Sequence, residues 1–380
     1  MAMKPRLTVM VIADSMTNSV FQGQVLEPLY VQRKQNPCAP YIILSLESVI
    51  MPRECYAKLV PLSYHISWEV IKRGPFWGTL SLYPTVRRLR KALSHYDSYN
   101  IIARGAIAGF LSARALNPRH CRSLLIQARG LLAEEYRYTH MRNQTTWSYL
   151  HALRARSYEK IERMVYGSHF ASSIRNLISF ESVSDGLAEY LTQQYQTDPA
   201  RILVTCHDFP RKIESSQRLK LRKQMRVSLD IAYDAYVYCY NGSAHPWQCP
   251  EEIVRFFSGQ LSTDPRAILL IVTQEAQAFE MICKKYEVPG SNYRIISVDH
   301  TNVYSYLCVA DAGILFRESH IINWVSRPTK LLEYCAAQLQ IIHNGTVAYV
   351  CSLKSTDQQA DCKKHPIFKG VQTHAVQLQK

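Results

Sequence analysis

The chain has 380 residues, of which 47% are hydrophobic and 20% are charged, with 45 Lys and Arg against 30 Asp and Glu. This composition excludes a disordered chain, and the length predicts two or three domains. The formal charge of +15 favours anionic partners, among which nucleotide phosphates, anionic lipid headgroups and nucleic acid stay open here. No apolar run approaches the roughly 18 residues that a membrane span needs. The eleven cysteines include no C-x-x-C pair, so we expect a reducing cytoplasm rather than a disulfide scaffold.

In the first half of the chain, short apolar runs that predict strands alternate with longer amphipathic stretches that predict helices. The predicted strands are Leu7–Ala13, Tyr41–Leu46, Tyr99–Ala103 and Leu124–Gln127. The predicted helices are Val20–Lys34, Pro84–His95, Ala106–Leu116 and Trp147–Tyr166.

The second half repeats this rhythm. Its predicted strands are Arg201–Val204, Tyr236–Tyr240, Ile268–Thr273, Arg294–Val298 and Gly313–Phe316. Its predicted helices lie near Glu251–Ser258, Ala276–Tyr286 and Thr329–Ala337. Alternation of this kind is typical of parallel sheets built from βαβ units. We therefore predict an α/β chain of two doubly wound, Rossmann-like domains, residues 1–200 and 201–350, followed by a polar tail, residues 351–380.

Several catalytic motifs are absent from the sequence. There is no G-x-x-x-x-G-K-[ST], which disfavours a P-loop nucleotidase, and no G-x-G-x-x-G dinucleotide fingerprint. There is also no G-x-S-x-G, H-E-x-x-H or D-x-D motif. We therefore expect no metal site and no bound cofactor.

The most informative segment lies between residues 311 and 344. A buried strand is predicted to end in the charged pair Arg317 and Glu318, and after a loop a new helix begins. Ser326 is predicted to be the N-cap of this helix, and Pro328 suits its first turn.

The start of this helix has the chemistry of an anion site. Its free amides, the helix dipole and Lys330 would attract a diphosphate, and the carboxylate of Glu333 could accept two ribose hydroxyls. The alternative is an ordinary αβ unit in which a solvated Arg–Glu pair and a capped helix have no ligand. Spacing alone leaves both open.

These residues resemble the donor-binding segment of the retaining GT-B glycosyltransferases of family four, and among them bacterial members written roughly R-E-x-S…S-P-T-K-x-x-E-Y. The matching positions are Arg317, Glu318, Ser319, Pro328, Thr329, Lys330, Glu333, Tyr334 and Ala336. The resemblance implies a GT-B fold, with two domains facing a cleft. It places Glu333 on the ribose and Thr329 with Lys330 on the diphosphate. The family's first glutamate falls on Val325, so Arg317 or Glu318 is expected to contact the sugar.

Weaker similarities follow in the family's order along the chain. Residues 236–243, YVYCYNGS, resemble the strand and glycine turn that open the second domain, which places Gly242 and Ser243 in the donor site. Residues 101–105 and 128–135 resemble the H-A-R-G and D-x-R-G-x-x-x-E segments of the first domain, although their leading His and Asp are replaced here.

Two arginines and three other residues of the first domain are candidates on the acceptor side. Arg104 and Arg129 each end a predicted strand, where they could bind phosphate or simply cap strand carbonyls. With Lys330 they are the predicted catalytic residues. The predicted acceptor-side residues are Asn18, Ser19 and Glu134. An acidic residue such as Glu134 could also serve only the helix dipole.

Two basic stretches remain. The run Arg211–Arg226 is interpreted as a solvated helix face, with a nucleic-acid or membrane patch as the alternative. The basic helix Pro84–His95 is the better candidate for contact with anionic lipid or a lipid-linked acceptor.

We therefore predict a retaining, metal-independent hexosyltransferase that moves a sugar from a nucleotide-diphosphate-sugar, expected to be a UDP-sugar, to a glycan or lipid-linked acceptor. Its setting would be the synthesis of a bacterial polysaccharide or cell-envelope glycan. The protein is expected in the cytoplasm, with peripheral contact at the inner face of an anionic membrane and without a nucleic-acid partner. The alternatives are a catalytically impaired GT-B-fold binding protein and a basic nucleic-acid-binding protein.

Overall fold

A computed structural model describes residues 7–18, 21–76, 78–141, 148–167, 169–205, 213–299, 302–352 and 362–364. The chain divides into two compact units, Met1–Thr205 and Cys206–Lys380. Each unit has one parallel sheet with helices packed against it. None of the described helices is long and apolar enough to cross a bilayer.

The first unit has a sheet of seven parallel strands in the order β3-β2-β1-β4-β5-β6-β7. The strands are β1 (Leu7–Ile12), β2 (Tyr41–Glu47), β3 (Ser67–Lys72), β4 (Tyr99–Arg104), β5 (Cys121–Ala128), β6 (Ile178–Ser182) and β7 (Ile202–Val204). The helices are α1 (Glu27–Gln35), α2 (Arg53–Ala57), α3 (Tyr83–Leu93), α4 (Gly105–Ala115), α5 (Leu132–Met141), α6 (Ser148–Tyr166), α7 (Ser172–Arg175) and α8 (Asp185–Tyr195). A π-helical turn, Gln22–Leu26, leads into α1.

The second unit has a parallel sheet in the order β10-β9-β8-β11-β12-β13. The strands are β8 (Val237–Asn241), β9 (Ile268–Val272), β10 (Tyr293–Ile296), β11 (Ala312–Leu315), β12 (Gln340–His343) and β13 (Cys362–Lys364). The helices are α9 (Ser215–Ser228), α10 (Pro250–Leu261), α11 (Ala276–Lys285), α12 (Val303–Leu307), α13 (Ile321–Trp324), α14 (Thr329–Ala336) and α15 (Ala348–Ser352).

Both faces of the second sheet are covered by apolar side chains. Leu331 of α14 packs with strand residues such as Leu270 on one face. Phe257 and Phe279, from α10 and α11, pack with Ile271 on the other. Burial on both faces explains why these strands are nearly continuous apolar runs, which is the feature that made them predictable.

The strand order of each sheet reverses at one point, as in a Rossmann fold. In the first unit the reversal lies between β1 and β4, and in the second it lies between β8 and β11. The connections after these strands leave in opposite directions, which opens a crevice at the carboxyl edge where ligands of doubly wound sheets bind. The two edges are therefore the places to search for function.

Several strands differ from the prediction. Ile202–Val204, assigned from the sequence to the second half, pairs with β6 and completes the first sheet. Strands β3 and β6 were not predicted, because their burial alternates and their sequences lack an apolar run. The predicted polar tail contributes β13, which pairs with β12 in parallel.

The basic run on α9 is neither a fully solvated face nor a fully exposed patch. Lys223 is exposed, but Arg226 is only 1% exposed. Arg222 and Arg226 donate to the two carboxylate oxygens of Asp311, at 2.7 and 3.0 Å. Asp311 also accepts the N–H of Val237 at the start of β8, at 2.9 Å. Two arginines of the run therefore hold the amino edge of the second sheet together.

Candidate functional site

The turn after β8 requires glycine. Gly242 has φ +148°, a conformation that residues with a Cβ rarely adopt, and its N–H donates to the carbonyl of Val272 at 2.9 Å. A Cβ here would also lie 2.6 Å from Nζ of Lys330. Only glycine at this position therefore leaves room for the ammonium group of Lys330, on α14, beside the backbone of the turn.

One side-chain oxygen is the common hydrogen-bond acceptor of the polar groups at this edge. Oε1 of Gln248 accepts from Nη1 of Arg317 at 2.9 Å and from Nζ of Lys330, and it lies 2.8 Å from the hydroxyl of Tyr240. Nζ of Lys330 also lies 4.2 Å above the Tyr240 ring. On its other side, Nε2 of Gln248 donates to Oγ of Ser243 at 3.1 Å. We call Tyr240, Gln248, Arg317 and Lys330 the cation cluster.

Both positive charges of the cation cluster are buried without a carboxylate bound to them. Arg317 is 7% and Lys330 6% exposed, and none of the ion pairs within the described ranges involves either residue. Burial and the charge of Arg317 hold the pKa of Lys330 well below its usual 10.5. Two desolvated cations that share one neutral amide oxygen would gain strongly from an anion with several oxygens, such as a diphosphate.

Helix α14 is fixed against both strands of the reversal point. The Tyr334 hydroxyl accepts the N–H of Asn241 at 3.0 Å and donates to the carbonyl of Ile314 at 3.3 Å. The ring lies so close to Gly313 that a Cβ there would be 2.5 Å from it. Oε2 of Glu333 accepts from Nδ2 of Asn241 at 2.5 Å. Lys330 and Glu333 are therefore set on a rigid helix start beside Gly242.

The predicted capping of α14 by Ser326 is wrong. The N-cap is Pro328, which offers no side-chain hydrogen bond to the helix. The hydroxyl of Ser326 donates instead to the carbonyl of Asn323, at 2.8 Å, one short helix earlier. No side chain of the N-cap therefore competes for the first-turn amides, and Thr329, the first helical residue, is exposed.

Glu318 lies beside the cation cluster, held by its backbone. Its N–H donates to the carbonyl of Trp247 at 3.1 Å, and its own carbonyl accepts from Nδ2 of Asn323 at 2.9 Å. These bonds tie the segment after β11 to the one that carries Gln248. Val325, at the position of the family's first glutamate, is fully buried.

A cavity of about 450 Å³ lies on the same edge of the second sheet, beyond β9 and β10. Its polar lining includes Gln274, Ser297, Asp299 and Asn302. Nε2 of Gln274 donates to the carbonyl of Val298 at 3.0 Å, which fixes part of the wall. Two strand spacings, about 10 Å, separate β10 from β8. This cavity was not predictable from the sequence, because its residues carry no motif.

At the carboxyl edge of the first sheet, Arg104 has a carboxylate partner. Arg104 is 5% exposed, with Nε 3.3 Å from Oδ2 of Asp14 and Nη2 2.5 Å from Oε1 of Gln24. Burial lowers the pKa of this arginine and Asp14 raises it. The sequence left open a strand cap or a phosphate ligand, and the structure shows an ion pair across the reversal point.

Arg129 is also paired. Its Nη2 lies 3.4 Å from Oε1 of Glu181, and Nε2 of Gln127 lies 3.3 and 3.2 Å from the two oxygens of the same carboxylate. Arg104 and Arg129 are thus each paired with a local carboxylate, unlike Arg317 and Lys330.

The predicted acceptor-side residues have different surroundings. Glu134 forms a 2.5 Å ion pair with Arg137. Asn18 is exposed in the loop after β1, where its N–H donates to the carbonyl of Ser15 at 2.9 Å, and Ser19 lies outside the described residues. Glu135, next to Glu134, packs its carboxyl against Gly130. Desolvation and the charge of Asp14 raise the pKa of Glu135 to about 7.

The start of α5, which carries these acids, is held by a buried carboxyl of α6. Glu162 is 1% exposed and accepts the N–H of Leu132 at 2.7 Å, the N–H of Ala133 at 3.3 Å and the hydroxyl of Tyr195 at 3.2 Å. Burial outweighs these bonds and raises its pKa to about 8.

This pKa predicts a pH dependence of stability. The native carboxyl of Glu162 keeps its proton up to about pH 8, whereas the unfolded one releases it near 4.5. Its contribution is therefore complete below pH 4.5 and lost as pH rises through 8, by at most about 1.4 kcal/mol per pH unit. Urea unfolding of Glu162→Gln should show a flatter pH profile than the wild type between pH 5 and 8. Glu189→Gln, at an exposed position of α8, should keep the wild-type slope. An unchanged slope in Glu162→Gln would contradict this assignment.

Within the part of the chain that the structure describes, no three His, Cys, Asp or Glu side chains form a group that could hold a metal ion.

No protein-family model matches the sequence, and no curated protein matches it. Solved structures do share its fold. A glycosyltransferase from Rickettsia africae ESF-5 has a TM-score of 0.63 at 11% identity, over 92% of this chain and 82% of that chain. WaaG, a glycosyltransferase involved in lipopolysaccharide biosynthesis, has a TM-score of 0.56 at 14% identity, over 90% and 82%. The lipopolysaccharide outer core galactosyltransferase WaaB has 0.58 at 10%, over 90% and 81%. The predicted GT-B fold class of two Rossmann-like units is confirmed.

Proposed function

We propose that this protein is a glycosyltransferase that takes its sugar from a nucleoside diphosphate donor held by the second unit. The observation that carries the proposal is the cation cluster, in which Arg317 and Lys330 are buried beside the Gly242 turn and form no ion pair with any described residue. The position at a Rossmann reversal point and the shared fold with glycosyltransferases support the same assignment.

Each part of the donor has a matching surface in the second unit. Arg317, Lys330 and the uncapped start of α14 at Thr329 bind the diphosphate, with Ser243 at the turn beside it. Glu333 binds the ribose hydroxyls, and the cavity beyond β9 and β10 receives the base. During transfer the two cations stabilise the negative charge of the departing diphosphate, the task that a metal ion performs in other enzymes.

The finer assignments come from the resemblance of residues 317–334 to family four. They are transfer with retention, a UDP-sugar as donor, independence from metal, and Glu318 or Arg317 as the contact to the sugar. The function would belong to glycan synthesis at a bacterial cell envelope.

The first unit would hold the acceptor, a glycan or a lipid-linked sugar. Arg104 and Arg129 remain candidates for catalysis there, and Asn18, Ser19 and Glu134 for acceptor contact. Exposed Arg87 and Lys91 on α3 suit peripheral contact with an anionic membrane from the cytoplasmic side.

Calorimetric titration with UDP, GDP, ADP and inorganic pyrophosphate tests the donor site. We expect one nucleoside diphosphate to bind with micromolar affinity. The matching nucleotide sugars are then screened for release of the diphosphate. If none of the four compounds binds, the proposed function is wrong.

Glu333→Gln separates ribose recognition from diphosphate recognition. A neutral amide accepts hydroxyl groups more weakly than a carboxylate does, so we expect about tenfold weaker binding of the nucleoside diphosphate. Binding of pyrophosphate should not change. Glu280→Gln, at an exposed position of α11, is the matched control and should bind both like the wild type. Equal losses for both ligands would show that Glu333 supports the diphosphate site indirectly and does not recognise the ribose.

The burial of Val325 at the family's first-glutamate position supports one second candidate, a GT-B-fold protein that binds a nucleotide sugar without transferring it. Both candidates predict binding of the diphosphate. Release of diphosphate from the donor would exclude pure binding.

A further inference from the structure

The carboxyl edge of the first sheet holds a row of polar side chains in strand register. Arg104 of β4 is paired with Gln127 of β5, and Gln127 with Glu181 of β6. Side chains in register on adjacent parallel strands point to the same face, so these three lie side by side. Asp14 joins the row through Arg104, and Arg129 through Glu181. We call these five residues and Glu135 the first-edge cluster.

The charge of the first-edge cluster is opposite in sign to that of the cation cluster. Asp14, Glu135 and Glu181 provide three carboxyl groups against the two guanidinium groups. Each arginine already has a carboxylate within 3.4 Å. An anionic ligand would meet acceptors of its own sign here, whereas Arg317 and Lys330 have no carboxylate within ion-pair distance among the described residues. The electrostatics of the two edges therefore point to different ligands.

Two buried atoms of the first-edge cluster show what kind of ligand would fit. Nη1 of Arg104 and Oε1 of Gln127 have no hydrogen-bond partner among the described residues. The orientation of Gln127 is set by its Nε2, which lies between the two oxygens of Glu181. One donor and one acceptor thus remain on neighbouring strands. A hydroxyl group both donates and accepts, whereas an ionised phosphate only accepts.

Glu135 adds a group of the same character. The residue is exposed, and its carboxyl rests against Gly130 at the start of α5. Its carboxylate is a hydrogen-bond acceptor, as Oε1 of Gln127 is, and it therefore suits a donating hydroxyl group.

We propose that the first-edge cluster binds a neutral, polyhydroxylated sugar as the acceptor of the proposed transfer, rather than a phosphate-bearing one. The identification of this sugar as the acceptor rests on the proposed function, whereas the binding of a sugar depends on the first unit alone. Asp14 and Glu135 accept hydrogen bonds from its hydroxyl groups, and the unpaired groups of Arg104 and Gln127 complete the contacts.

Saturation-transfer NMR on the full chain tests the site without requiring catalysis. The probes are methyl β-glucoside, methyl β-galactoside and methyl N-acetyl-β-glucosaminide, each compared with its 6-phosphate. We expect at least one neutral glycoside to receive saturation, and its 6-phosphate to receive at least fivefold less. Asp14→Asn and Glu135→Gln should each reduce the signal severalfold. Glu54→Gln, an exposed position on α2, should leave it unchanged.

Three results would overturn the inference: no glycoside bound by the folded wild type, stronger binding of the 6-phosphates, or full signal in both cluster variants. Failure of the donor site is distinguishable, because it would abolish nucleotide binding and leave the NMR signal in place. If both sites are correct, the bound glycoside should also accelerate diphosphate release from the donor.

Discussion

Replacing Lys330 by methionine is expected to weaken binding of the nucleoside diphosphate about 100-fold and, at the same time, to stabilise the fold. Lys330 is 6% exposed, and its ammonium group meets the neutral oxygen of Gln248 rather than a carboxylate. A bound diphosphate would gain a charge-assisted hydrogen bond from this desolvated group, worth about 3 kcal/mol. Without ligand, the same burial is unfavourable, because the charge has left water without a counter-ion. A methionine of similar length removes that penalty and leaves Arg317 and Tyr240 on Gln248.

Calorimetry with the diphosphate and with pyrophosphate measures the first effect, and thermal unfolding measures the second. Both ligands should bind less tightly, since the lost contact is to phosphate. The melting temperature should rise by a few degrees, as expected for about 1 kcal/mol in a chain of this size. Lys284→Met, on the exposed surface of α11, is the matched control and should change neither quantity. Unchanged ligand binding together with a lower melting temperature would show that Lys330 has a structural role.

The architecture was predictable where burial is complete. Strands such as β9 and β11 are buried along their whole length and appear in the sequence as apolar runs. The edge strand β3 and the half-buried β6 alternate instead, and their short polar sequences resemble loops. Strand pairing, rather than local sequence, places β7 in the first sheet. Its position along the chain therefore led to its assignment to the wrong unit.

The donor site was predictable in part, for a related reason. Arg317, Lys330 and Glu333 lie within one short segment with a family pattern, whereas Gln248 has no pattern around it. Gln248 lies 69 residues before Arg317 in the sequence and reaches it because the loop after β8 and the 3₁₀ turn Pro246–Gln248 fold back over the strand end. The carboxylate partners of Arg104 and Arg129 lie 90 and 52 residues away. The sequence predicted that these two arginines lie at strand ends, but only the fold shows that each is paired with a carboxylate.

Arg226→Met is expected to destabilise the second unit by about 4 kcal/mol. Arg226 is fully enclosed, and its guanidinium group donates to Asp311 and to the carbonyls of Val309, Ala232, Tyr233 and Ala235. Removing it leaves buried carbonyl groups without donors, and it leaves Asp311 with Arg222 as its guanidinium partner. Removing one partner of a buried ion pair typically costs about 3–5 kcal/mol. The loss falls on β8 and β11, the two strands that position Gly242 and Arg317. Amide hydrogen exchange of these strands should therefore quicken with the fall in global stability.

The matched control, Arg266→Met, removes an Arg–Asp ion pair that is exposed to solvent. Arg266 and Asp234 form a 2.5 Å ion pair whose side chains are 72% and 66% exposed. Arg266→Met should change the free energy of unfolding by no more than about 1 kcal/mol, because solvent screens an exposed pair. Urea unfolding of both variants gives the comparison directly. Similar losses in the two variants would show that the burial of Arg226 and its bonds to carbonyl groups add nothing to what an exposed ion pair contributes. A large loss only in Arg226→Met would show that this arginine of the basic run on α9 is needed for the fold and is not available to an anionic ligand.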